Sequence, residues 1–118
     1  MLVEIDRVTD LIVATVQGPV GYISEIALWN PATGVWESTA PTILKGDKAG
    51  VMGYATNSSG GAVTMRMDAT ITIPSGGTFE FQGTEKELAT GAVEAWEFDW
   101  DTLYEGDYKA TLILYVVQ

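Results

Sequence analysis

The stretch Ala62 to Pro74 alternates without a break. Val63, Met65, Met67, Ala69, Ile71 and Ile73 fall on one side, and Thr64, Arg66, Asp68, Thr70 and Thr72 fall on the other. Successive side chains of a strand point to opposite faces, so a period of two predicts a half-buried strand with one face on a core and one in water. Pro74 has no N–H to give to a ladder, and Ser75-Gly-Gly77 behind it ends the strand.

The same period recurs along the chain. Leu2 to Val8 alternates, and Thr9-Asp10 turns or bulges it. Leu11 to Val16 is apolar on both faces, as a strand covered on two sides would be, and Gln17 to Gly21 breaks it. Ile23 to Trp29 and Val35 to Thr39 flank Asn30-Pro-Ala-Thr-Gly34. Pro presets a turn and Gly permits positive φ at its end, so these predict a hairpin with Trp29 and Trp36 as a cross-strand aromatic pair. The phrase Trp29 to Trp36 resembles part of a kelch propeller blade, but such blades repeat at about fifty residues and nothing here repeats. Gly50 to Thr56 is a strand weakened by Gly50 and Gly53, which mark a bulge or a close approach of another chain.

Asn57 to Gly61 is a hairpin loop, and Asn57-Ser58-Ser59 matches the glycosylation acceptor pattern. Thr78 to Gln82 turns Phe79 and Phe81 inward. Gly83 to Gly91 is polar and predicts at most one helical turn over Glu85 to Leu88. Ala92 to Asp101 alternates strictly, with Trp96, Phe98 and Trp100 opposite Glu97, Asp99 and Asp101. In Tyr108 to Val117, Ala110, Leu112, Leu114 and Val116 make one face, while Ile113, Tyr115 and Val117 make the second face apolar too. About eight to nine short strands with regular turn signals predict an all-β chain, an antiparallel β-sandwich over residues 1–118 as a single domain.

Composition removes several function classes. The 118 residues carry 16 acidic and 6 basic side chains, a formal net charge of −10. Phosphate binding needs clustered Lys and Arg, so nucleic acid and anionic membrane are not expected partners. The sequence holds no Cys and no His. That removes thiolate zinc sites, Cys nucleophiles and imidazole bases. The N-terminus lacks the positive charge and apolar run of a signal peptide, and no stretch is apolar enough for a transmembrane helix.

Two segments carry a family likeness. Glu105-Gly-Asp-Tyr108, opening the last strand, resembles the late-strand segment of immunoglobulin-like domains. There the Tyr forms a tyrosine corner, its hydroxyl bonding back to the chain a few residues upstream. The Cys that follows in antibody domains is missing. The order Leu44-Lys-Gly-Asp-Lys48, a strand to Asn57, Ser59-Gly60, a long alternating strand and the closing Gly-Asp-Tyr is similar to the cell-adhesion-related bacterial (CARDB-type) domains. The likeness covers about Ala40 to Val117. It implies an immunoglobulin-like strand order and carries no function of its own.

Three constellations have chemistry to offer. Glu97, Asp99 and Asp101 form a carboxylate row at about 6–7 Å spacing, the one candidate for a metal, Ca²⁺, although a flat row is poor geometry for an ion that takes several oxygens from a curved loop. Exposed carboxylates in a row also lack the flanking cleft of a glycosidase, so no enzyme is expected and no cofactor is required. Trp29 and Trp36 flank a loop and are candidates for a ligand platform, whereas Trp96 and Trp100 read as core. Ile113, Tyr115 and Val117, like the second apolar face of Leu11 to Val16, need a cover: a neighbouring sheet, the chain's own termini or another subunit, the last being self-association by strand addition or a symmetric face. These readings imply a non-enzymatic structural or interaction module with a protein partner. A small acidic sandwich that starts at Met1 suits a virion decoration or tail accessory protein or a cell-surface assembly. The alternative is a carbohydrate-binding module using Trp29 and Trp36.

Overall fold

The structure, a computed structural model, describes residues 1–9 and 20–118. Eight strands are present among these residues: β1 (Leu2–Thr9), β2 (Gly21–Asn30), β3 (Val35–Glu37), β4 (Lys48–Asn57), β5 (Val63–Thr72), β6 (Thr78–Leu88), β7 (Val93–Asp101) and β8 (Lys109–Val117). They form two four-stranded sheets, ordered β1-β8-β5-β6 and β3-β2-β4-β7, and every pairing is antiparallel. The all-β sandwich therefore stands. The immunoglobulin-like strand order is not confirmed: the first strand pairs with the last, where in a constant-type immunoglobulin sandwich it pairs with the second. The doubly apolar stretch Leu11 to Val16 lies outside the described residues.

Alternation decides what lies between the sheets. On β5, Met65, Met67, Ala69 and Ile71 are buried, while Arg66, Asp68 and Thr70 stand on the opposite face. Leu112 and Leu114 of β8 join them from the same sheet, and Ile23, Val51, Ala55, Trp96 and Phe98 come from the other. Gly53 of β4 belongs to this interior. A Cβ there would overlap the sulfur of Met67 and stand 3.0 Å from Leu112 Cδ1. The close approach of another chain expected as one reading of this glycine is thereby corrected: what comes close is side chains of the first sheet, Met67 of β5 and Leu112 of β8. One end of the interior is aromatic, with ring centroids of Phe79 and Trp100 6.1 Å apart, Phe81 and Phe98 6.1 Å apart, and Trp100 and Tyr108 6.4 Å apart.

Strand β6 corrects the helical turn expected over Glu85 to Leu88, because it runs unbroken to Leu88. A bulge carries it through. The β5–β6 register shifts between Arg66 and Asp68, and Gly83 N donates to Asp68 Oδ1 at 3.1 Å. A Cβ at Gly83 would overlap the carbonyl oxygen of Met67, so only glycine fits the bulge. The bulge brings the polar residues of β6 back into the ladder and places Leu88 in the core.

Side chains tie the sheets at their edges. Ile23 N of β2 donates to Asp6 Oδ2 of β1 at 2.7 Å, at a point where both strands bulge. On the far side Trp96 Nε1 of β7 donates to Thr84 O of β6 at 2.7 Å, and Lys86 of β6 donates to Ala95 O of β7. Three polar corners fix the connections. Thr102 Oγ1 donates to Asp47 O at 2.7 Å and accepts from Gly46 N at 3.2 Å, which pins the turn before β4. Tyr108 Oη accepts from Leu103 N at 3.2 Å and Tyr104 N at 3.0 Å, the backward bond of a tyrosine corner. Asn57 is 0 % exposed; its Nδ2 donates to Gly61 O and Leu88 O at 2.9 Å each, and its Oδ1 accepts from Ser59 N at 2.8 Å. The acceptor motif at Asn57 is therefore sealed in the folded chain, its nitrogen already committed to two carbonyls.

Replacing Asn57 by Ala strands those buried partners, and unsatisfied buried groups cost about 1–3 kcal/mol each. Asn57→Ala is expected to lower the unfolding free energy by about 3 kcal/mol in urea denaturation. A loss below about 1 kcal/mol contradicts its role as the corner between β4 and the β6–β7 turn.

Candidate functional site

Residues opposite each other in an antiparallel ladder share a face. Since Gly53, Val51 and Ala55 point inward, Lys48, Gly50, Met52 and Tyr54 form the outer face of the second sheet. Their partners extend it: Ala27 and Glu97 beside Met52, Asp99 beside Gly50, Asp101 beside Lys48, and Glu25 beside Tyr54. Two of the constellations read from the sequence, Trp29 with Trp36 and the row Glu97, Asp99, Asp101, therefore meet on one sheet face.

The tryptophan pair is built by its hairpin. Gly34 N and Thr33 N both donate to Asn30 O, at 2.8 and 3.3 Å, and Ala32 N donates to Asn30 Oδ1 at 3.0 Å. Gly34 takes φ +71°, a conformation other residues rarely adopt. This turn sets Trp29 opposite Trp36, with ring centroids 5.4 Å apart and planes at 59°. Gly50 makes the room: a Cβ there would stand 3.0 Å from Trp29 Cβ and 3.1 Å from Trp36 Cη2. Both indoles are half-buried. Beside them Met52 and Ala27 are buried at 6 % and 8 % exposure, outside the interior cluster.

The acidic row does not gather around a point. Among the described residues no group of three or more His, Cys, Asp or Glu side chains lies close enough to hold a metal ion. Instead Lys48 Nζ stands 3.4 Å from Asp101 Oδ1 and 3.6 Å from Asp99 Oδ1. Asp101 foremost, and Asp99 after it, raise the Lys48 ammonium above its ordinary pKa of 10.5.

Ile113, Tyr115 and Val117 do share the outer face of the first sheet, but β8 lies between β1 and β5 and offers no edge. Strand addition to β8, one of the two self-association routes expected for it, is thereby corrected. The face has a cover of its own as well. The Arg66 guanidinium lies 5.3 Å from the Tyr115 ring centroid and bonds Asp68 Oδ2 at 2.9 Å, with the Arg66 side chain 12 % exposed. Ile113, between Arg7 and Asp68 in the ladder, is only 9 % exposed. The arginine stems cover apolar surface while their heads reach polar partners.

A cleft of about 940 Å³ also opens at the aromatic end of the sandwich, lined by Ile26, Leu28, Val51, Trp100, Tyr108 and Leu112 among others. Sequence reading missed it because Trp100 and Leu112 read as core and Tyr108 as a corner, and the width of an opening between two sheets is not written in the period of either strand. Comparison of the chain with protein-family models, with curated proteins and with solved structures finds no match.

The Lys48 arrangement has a measurable consequence. A raised folded pKa means that the ion pair favours the fold at all pH values below the ordinary lysine range and ceases to do so as pH rises through the folded value. Asp101→Asn is expected to move the Lys48 titration, followed by NMR of its side chain, down toward the ordinary value. An unchanged titration contradicts the pairing.

Proposed function

We propose that this protein is a non-enzymatic interaction module that docks through the outer face of the β3-β2-β4-β7 sheet. One observation carries the reading: Trp29 and Trp36, held over Gly50 by their own hairpin, stand on the same face as the carboxylate row. Paired indoles at a surface are the side chains most often found as binding anchors. The interior does not need them, since Trp96, Phe98 and Trp100 already fill the sandwich from this sheet. The setting we propose is a larger assembly, of the virion or cell-surface kind. Self-pairing of either outer face is less favoured than a different partner. Glu25, Glu97, Asp99 and Asp101 on one face, and Glu4, Glu80, Glu85 and Glu87 on the other, would meet their own kind.

The carbohydrate-binding alternative rests on the same two indoles. Their 59° tilt counts against it, because a sugar chain stacks best on rings that lie in one plane.

Two measurements separate a binding face from a packing one. Trp→Ala in a core costs about 3–5 kcal/mol, whereas Trp36→Ala on this short edge strand is expected to cost less than about 2 kcal/mol. A loss in the core range makes the pair a folding element and overturns the reading. Soluble cello-, xylo- and chito-oligosaccharides are expected to leave the tryptophan emission unchanged. Saturable quenching that disappears in Trp36→Ala assigns the face to glycans instead.

A further inference from the structure

We infer that the occupant of this face is a basic polypeptide segment, one whose Arg or Lys side chains alternate between the tryptophan pair and the carboxylate row. The inference rests on the docking face proposed above and adds the chemistry of its partner.

Charge complementarity carries the argument. The strands of this outer face present Glu25, Glu97, Asp99 and Asp101 against one cation, Lys48. Lys48 also shows what the row accepts. Its ammonium sits between Asp101 and Asp99, and their attraction raises its pKa. Glu97, one step further along the same strand face, is exposed and forms no ion pair among the described residues. Asp99 faces Gly50 across the ladder, and Gly50 lies beneath the indoles. A guanidinium stacked on Trp36 is therefore a strand or two from a carboxylate, within the reach of neighbouring side chains of one extended segment. Arg and Lys gain on both counts, by attraction to the ring face and to the row.

The face, and not the edge, receives this partner. The free side of β7 is bridged to β6 through Trp96 to Thr84 and Lys86 to Ala95. A peptide adding as a new strand at β7 would have to break those ties, and β3 offers an edge of only three residues, while a peptide lying across the outer face leaves both intact. A neutral glycan would use the indoles and leave the row without a counter-charge.

The test is titration with octa-arginine, read by tryptophan emission and calorimetry at low and near-physiological salt. Wild type is expected to bind saturably with a shift in emission, more weakly at the higher salt. Trp36→Ala and Glu97→Gln are each expected to weaken binding about two- to fivefold, and the double variant about tenfold or more. The control is Glu80→Gln with Glu85→Gln on the opposite face, which is expected to change affinity less than about twofold. Equal weakening by the control pair means that octa-arginine follows the overall negative charge, and it overturns the inference. So does an absence of saturable binding at low salt. If octa-arginine fails while an oligosaccharide quenches Trp36, the partner chemistry is wrong and the face remains a binding face. If Trp36→Ala unfolds the protein at the cost of a core residue, the docking face itself fails.

Discussion

The fold depends on how closely two strands from opposite sheets approach. Gly53 of β4 and Met67 of β5 meet where a single added carbon would overlap a sulfur. That contact sets the separation of the sheets, and the alternation on each strand then determines the rest. Met65, Ala69 and Ile71 are carried into the same layer as Val51 and Ala55, because all stand an even number of residues from the contact. Every odd step faces outward. The polar face of β5 and the outer face of β4, whose Gly50 lies under the indoles of β2 and β3, are two consequences of one packing decision. Methionine suits this place, since its unbranched thioether fills irregular gaps that a β-branched side chain cannot.

With the interior settled, the outer faces differ in how they are finished. The first sheet covers its apolar residues from within: Arg66 lies over Tyr115 and pairs with Asp68, and Ile113 is enclosed between charged neighbours. The second sheet leaves two indoles half-exposed next to carboxylates that have one lysine between them. A large aromatic surface left at the rim of a face that the core does not need is a common property of binding surfaces. The edges at β1, β6 and β7 are tied by Asp6, Trp96 and Lys86, and β3 is three residues long, which leaves faces, more than edges, for contact with other molecules.

Much of this was legible in the residues themselves. The period of two located seven strands to within a few residues, and the Pro-Ala-Thr-Gly turn placed Trp29 against Trp36. Tyr108 made the backward bond that its Gly-Asp-Tyr setting implied. Three things were not legible, each for a physical reason. β6 past Gln82 was hidden because a bulge breaks the alternation, and the polar run after it then resembles a loop. The meeting of the indoles and the acidic row is a matter of register, which neither segment contains alone: it needs Gly50 to sit beside Asp99 and under Trp36. That Arg66 lies over Tyr115 was hidden because the apolar period does not record where a long arginine side chain on the next strand comes to rest.

The central claim is that the outer face of the second sheet is where this protein meets its partner. Chemical-shift mapping of the labelled protein during titration with octa-arginine tests it most directly, because each tryptophan contributes its own indole N–H signal. The account predicts that the Trp29 and Trp36 signals move, along with amides of Gly50, Glu97 and Asp99, while Trp96 and Trp100 stay in place. Shifts spread over both outer faces, or centred on Tyr115 and the first sheet, would contradict it.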